Sequence, residues 1–151
     1  MRVERADGED IAGLAWLKWQ DVAPEAKAGR SLDLFTDELA TWWRAHADTH
    51  SAFVARTDDG EIVGMAWLAL LPRVPRPGAA DRVSADIQSV FVLPAHRGCG
   101  IGSRLIAAAC AYGTSLGAPR ITVHSSDGAV RLYRRLGFSG SAQLLQLRGP
   151  A

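Results

Sequence analysis

The chain reads as one mixed α/β domain, residues 1–151, built on a single central sheet flanked by helices. Three observations predict this. Apolar runs of period two alternate along the chain with runs of period near 3.6, so neither strands nor helices dominate. A strong hairpin signal, Thr57-Asp58-Asp59-Gly60, joins two strand-like runs early on, which makes the first part of the sheet antiparallel. Later a strand is followed by a helix and another strand, which implies a parallel pair joined by a right-handed crossover. The expected order is β-α-α-β-β-β-α-β-α-β, with a further short strand at the end. A length of 151 residues suits one domain with a two-layer core.

Composition narrows the function classes. Apolar residues make up 48% and charged residues 22%, the balance of an ordinary globule rather than a disordered chain. The formal net charge of +1 exerts no global pull towards nucleic acid or membrane, so any anion site must be local. The first residues lack an apolar signal core, and no run approaches the ~20 apolar residues of a membrane span. A cytoplasmic location is the resulting expectation, with neither nucleic acid nor membrane as partner. Cys99 and Cys110 fall on one expected helix, roughly 16 Å apart at ~1.5 Å per residue, too far for a disulfide. They are expected as free thiols, and without a CxxC or a His/Cys cluster no metal is expected.

Residues 2–6 form a short strand around Val3. Asp7 can cap a helix over 8–20, with Ile11, Leu14, Ala15 and Leu17 on its apolar side. Trp16 and Trp19 are neighbours on that helix, either as core or as a wall of an acceptor pocket. Residues 21–31 carry Pro24 and Gly29 and read as a loop. A second helix over 33–47 has acids at its start and Arg44 and His46 at its end, as the helix dipole prefers; His46 and His50 are expected in solvent. Strands follow over 51–56 and 61–71, the second apolar on both faces, with Gly64 marking a bulge or close packing. Residues 72–81 form a stiff, proline-rich, exposed loop. In the strand over 82–93, strict alternation puts Ala85, Ile87 and Phe91 on one face, and Asp86, Gln88, Val90 and Val92 on the other. A helix over 101–116 ends at Gly117 and Pro119. Residues 120–124 are a short strand, Ser125-Ser126-Asp127 can cap a helix over 128–136, and 142–147 supply the final strand or strands.

The informative stretch is the turn after the central strand, Arg97-Gly98-Cys99-Gly100-Ile101-Gly102-Ser103. Glycines at alternate positions leave backbone N–H groups uncovered, Arg97 adds a charge, and the following helix contributes the positive end of its dipole. This is a site for a phosphate or pyrophosphate. Spacing excludes two nucleotide motifs: a dinucleotide fingerprint needs G-x-G-x-x-G, whereas Ser103 stands where the third glycine would fall, and a P-loop needs Gly-Lys-Ser/Thr, where this chain has Gly102-Ser103-Arg104.

Together with Ala129-x-x-x-Tyr133 and Leu136-Gly137-Phe138 downstream, the turn resembles the acyl-CoA-binding motifs of the GCN5-related N-acetyltransferases. The resemblance implies a GNAT-like domain with acetyl-CoA as acyl donor. Residues 97–103 would bind the CoA pyrophosphate: Arg97, Gly98, Cys99, Gly100, Ile101, Gly102 and Ser103. Val90, Phe91 and Val92 match the strand beside the pantetheine arm, where the parallel strands splay next to a bulge, and the Val92 N–H would polarise the thioester carbonyl. Tyr133 matches the general acid that protonates the departing thiolate. Ser126 stands where the family often has an asparagine that contacts the cofactor.

The chain departs from the family at Gln88 and Ser89, where many members carry an acid that deprotonates the amine. Asp86 is the substitute, acting through water, with His124 a further option. The implied activity is transfer of acetyl to a primary amine, a small molecule or a peptide, by direct attack in a ternary complex. The alternative is an acyl-CoA-binding module or sensor with weak or lost catalysis. A homodimer through the final strands is also implied, and the acceptor would be met by residues 21–31, the second helix and residues 72–81.

Overall fold

The computed structural model describes residues 1–150. Strand β1 (Arg2–Arg5) leads into a reciprocal cap: the Asp7 carboxylate accepts the Glu9 N–H at 2.9 Å, and the Asp7 N–H donates to Asp10 at 3.1 Å. Helix α1 (Ile11–Asp21) follows a short 3-10 turn and buries Leu14, Ala15 and Leu17. Within the expected loop 21–31, Pro24–Lys27 instead forms one helical turn, α2; proline at its start loses no bond, because the first N–H groups of a helix have no partner anyway. Helix α3 (Leu32–His46) is capped by Ser31, whose hydroxyl accepts the Leu34 N–H at 3.1 Å.

Strands β2 (His50–Arg56) and β3 (Ile62–Arg73) form the expected hairpin, with Gly60 at φ +91° in its turn. Strand β4 (Arg82–Val92) returns antiparallel to β3. Helix α4 (Ile101–Ser115) then crosses over to β5 (Ile121–Val123), which lies parallel to β4, and α5 (Val130–Arg135) follows. The sheet order is β1-β2-β3-β4-β5, antiparallel up to β4. Arg56 joins the early elements, with ion pairs to Glu4 at 2.9 Å and Asp10 at 2.7 Å.

Each sheet face has its own core. On one, α4 packs Leu105, Ile106 and Ala109 against Phe53, Leu68, Ala85 and Ile87. On the other, α1 and α3 cover Val54, Met65, Trp67 and Phe91. A side chain at Gly64 would place its Cβ 3.1 Å from Leu105 Cδ1 and 3.3 Å from the Phe91 carbonyl, so this glycine lets α4 approach the sheet; the register also shifts beside it.

The expected alternation along β4 does not hold. Pairing passes from Leu68↔Ile87 to Trp67↔Ser89, leaving Gln88 as an extra residue on β4, a β-bulge. The bulge reverses the phase. Val90 and Val92 join Ala85 and Ile87 against α4, while Phe91 packs on the α1/α3 side. Asp86 consequently shares its face with Ser89 and Phe91, not with Val90 and Val92.

Other expectations also change. Residues 142–147 form no strand: Leu144, Leu145 and Leu147 are exposed and find no sheet face beside the short edge strand β5. Ser126 occupies the cap position of the 3-10 turn over 127–129 that leads into α5, but its side chain makes no capping bond. Trp16 is exposed rather than core, while Trp19 packs on Phe35 with centroids 6.2 Å apart. His50 is half-buried, its ring edge against Trp42, and His46 stacks on Trp42 at 4.5 Å.

Candidate active site

Strand β4 is paired to β5 only over Ala85–Ile87. Beyond the bulge it continues without a partner on that side, and the two parallel strands part. The Leu93 N–H donates back to the Val63 carbonyl of β3 at 2.9 Å. Because successive N–H groups of a strand point to opposite edges, those of Val92 and Val90 lie on the open edge. Arg97 folds back on this strand end: its Nε donates to the Val92 carbonyl at 2.8 Å, and its guanidinium lies 5.5 Å from the Phe91 ring centroid. Its side chain therefore fastens the turn to β4, leaving the backbone as the source of anion contacts.

The turn is exposed from Arg97 to Gly100, and Gly98 and Gly100 adopt φ +80° and +77°, a conformation that favours glycine. Gly100 stands at the start of α4 with no side-chain cap, and the first bond of the helix is Arg104 N–H to the Gly100 carbonyl at 3.1 Å. The N–H groups of Ile101, Gly102 and Ser103 therefore have no acceptor inside the helix. An uncapped helix start reached through glycines is suited to a phosphate. Cys99 is exposed there, with its thiol 3.6 Å from the Arg97 carbonyl.

Helix α5 packs against this turn. A side chain at Gly102 would place its Cβ 3.7 Å from Leu132 Cδ2, and Tyr133 shares a core cluster with Val92 and Ile101. The Leu136-Gly137-Phe138 segment has a structural purpose: Gly137, at φ +95°, donates to the Arg134 carbonyl at 3.1 Å, and Phe138 donates to the Tyr133 carbonyl at 3.0 Å. This helix-ending motif returns the Phe138 ring to 5.2 Å from the Tyr133 ring. Burial pushes the Tyr133 phenol up from its ordinary pKa, with Cys110 adding to the effect, so it keeps its proton. Burial also pushes up the Cys110 thiol. Tyr133 further borders a cavity of about 640 Å³ on the outer side of β5, which includes no residue of β4 or of the turn.

The other face of β4 carries side-chain chemistry. Asp86 accepts a hydrogen bond from the Thr122 hydroxyl of β5 at 2.7 Å, at the last stretch where β4 and β5 are paired. Ser89, just past the bulge, accepts from Lys18 Nζ of α1 at 3.3 Å. Lys18 went unnoticed in the sequence, because it meets Ser89 only through packing and no local pattern announces such a contact. Ser126 and His124 are exposed, and neither is gathered with these groups. Among the described residues, no group of His, Cys, Asp and Glu is arranged to hold a metal, and no helix is long and apolar enough to cross a membrane.

Comparison with known proteins identifies a family for the chain. Residues 7–138 match the Acetyltransferase (GNAT) family. Over 88 residues the chain is 34% identical to a glucosamine 6-phosphate N-acetyltransferase of Trypanosoma brucei brucei, covering 58% of each protein. Over 118 residues it is 32% identical to the N-acetyltransferase Eis of Mycobacterium tuberculosis, covering 76% of this chain and 29% of that one. The chain thus spans less than two thirds of these relatives. An aminoglycoside N-acetyltransferase solved with CoA has the same fold, with a TM-score of 0.73 at 21% identity over 99% of this chain and 95% of that one.

Proposed function

The chain belongs to the GNAT acetyltransferase family, and on that premise we propose that it moves an acetyl group from acetyl-CoA to a primary amine while both are bound. The observation that carries this reading is the open edge of β4, which runs directly into an uncapped, glycine-lined helix start. The turn from Gly98 to Ser103 takes the pyrophosphate through its N–H groups. The pantetheine arm lies along Val90, Phe91 and Val92 as the strand β4 would lack.

The chemistry follows from these positions. A neutral amine attacks the thioester carbon, forming a C–N bond while negative charge gathers on the oxygen. The Val92 N–H stabilises that charge, as a preorganised donor does best in a site with little water. The C–S bond then breaks, and the thiolate takes its proton from Tyr133, whose burial keeps that proton available at neutral pH. The proton lost by the amine passes through water to Asp86, which Thr122 holds in place. The relative named for glucosamine 6-phosphate favours a small acceptor molecule.

Two measurements test the proposal. CoA should raise the melting temperature by mass action, and acetyl-CoA with a panel of primary amines should release free thiol. Stabilisation without thiol release would favour the binding-module alternative; neither effect at millimolar CoA would remove the proposal.

A further inference from the structure

The α1/α3 side of the site carries a charge with no partner. Lys18 is half-buried, and its ammonium donates only to the neutral Ser89 hydroxyl. The ion pairs among the described residues involve Met1, Arg2, Arg56 and their carboxylates, and none involves Lys18. A half-buried ammonium left with one neutral acceptor has donors free for an anion. Directly across from Ser89, and on the same sheet face, Trp67 is buried with its indole N–H unpaired. This sheet face therefore holds a second donor without a partner beside the Lys18 ammonium. Lys18 also lines a cavity of about 310 Å³ between α1 and α3, with Trp19 and Phe35 as walls and Arg30 and Glu38 at its exposed rim.

We infer that the acceptor is an amine that also carries an anionic group, a phosphate or a carboxylate, and that Lys18 binds that group. The inference rests on the acetyl-transfer reading above and adds the substrate class. The CoA phosphates do not supply the anion: their expected site is the turn beyond the end of β4, whereas Ser89 lies upstream within the strand, on the face away from α4. Asp86 and Ser89 share that face, so amine and anion have separate stations. Asp86 takes the amine proton and Lys18 holds the anion. Three strand residues span about 10 Å, less what the bulge takes up, which sets the approximate spacing of the two stations along β4. Arg30 gives the mouth a second cation, and Glu38 beside it disfavours an acceptor with several negative charges.

Matched acceptors test this: glucosamine 6-phosphate against glucosamine for a phosphate, and β-alanine against β-alaninamide for a carboxylate. The anionic member of at least one pair should be preferred in kcat/KM by about tenfold to a hundredfold, the worth of one charged hydrogen bond. Lys18→Met should raise KM for that member by the same factor while leaving kcat and the KM of its neutral partner unchanged. Lys18→Arg should keep much of the preference, which separates the charge from any effect on folding. Calorimetric titration of the CoA-bound protein gives a readout without turnover, in which the anionic member should bind and Lys18→Met should weaken it. Equal use of both members, or an equal effect of Lys18→Met on both, overturns the inference while acetyl transfer stands. Absence of anion-dependent binding overturns it whether or not turnover occurs, and failure of CoA to stabilise the protein is the separate failure of the transferase reading.

Discussion

The two faces of β4 are made of different material. On the proposed donor side the groups are backbone: N–H groups of Val90 and Val92 on the open edge, and those of Ile101, Gly102 and Ser103 at the uncapped start of α4. On the acceptor side they are side chains contributed by distant elements, Lys18 from α1, Asp86 and Ser89 from β4 and Thr122 from β5. A backbone site needs only the right turn and accepts many sequences. A side-chain site is set by what packing happens to bring together, so acceptor choice can change while the donor stays the same.

The contrast can be broken from either side. The largest effect is expected at Tyr133. Tyr133→Phe removes the proton without the ring and should lower kcat about 10²- to 10⁴-fold with the Kd for CoA unchanged; an equal loss in CoA affinity would make this tyrosine a packing residue. Asp86→Asn should lower kcat about 10²-fold, and the deficit should shrink as pH rises and more of the amine is already neutral. A pH-independent deficit would take Asp86 out of the proton path. Gly100→Val forces a branched side chain to a φ of +77° and should weaken CoA about tenfold, with the acceptor KM unchanged in steady-state kinetics. Movement of both constants together would mean that the two faces are coupled.

The sequence made the donor side legible because its requirements are local. Glycines at fixed spacing, Tyr133 and the Leu136-Gly137-Phe138 ending all lie within short stretches, and the helix-ending bonds at Gly137 and Phe138 explain why that last motif can be read at all. The other elements from β1 to α5 were legible for the same reason, since each carries its period in the local sequence, the single-turn helix α2 excepted. What failed was non-local. The bulge at Gln88 depends on register with β3, and it reversed the face assigned to Val90, Phe91 and Val92. The final segment has strand-like leucines but no sheet edge that takes them up. Lys18 was invisible because its partner is 71 residues away.

A smaller effect should appear in stability. Burial raises the folded pKa of both Cys110 and Tyr133, so each contributes fully below its unfolded pKa and loses that contribution as pH rises through the folded value. The melting temperature should therefore fall above about pH 9, where thiols begin to ionise. Cys110→Ala should flatten part of that decline; an unchanged slope in a melting series would remove the thiol from it.

The extra residue at Gln88 also makes insertions and deletions unlike substitutions in this strand. Deleting Gln88 would remove the bulge yet keep the side of every residue from Ser89 to Val92, because Ile87 and Ser89 already face opposite ways across it. What would change is the bend of β4 at the point where it parts from β5. Replacing Gln88, which is exposed, asks almost nothing of its neighbours. A library that samples single-residue deletions across β4 should thus keep a folded protein but lose acetyl transfer at Gln88, where nearly any amino acid is accepted, a signature of geometry carried by chain length rather than by side-chain identity.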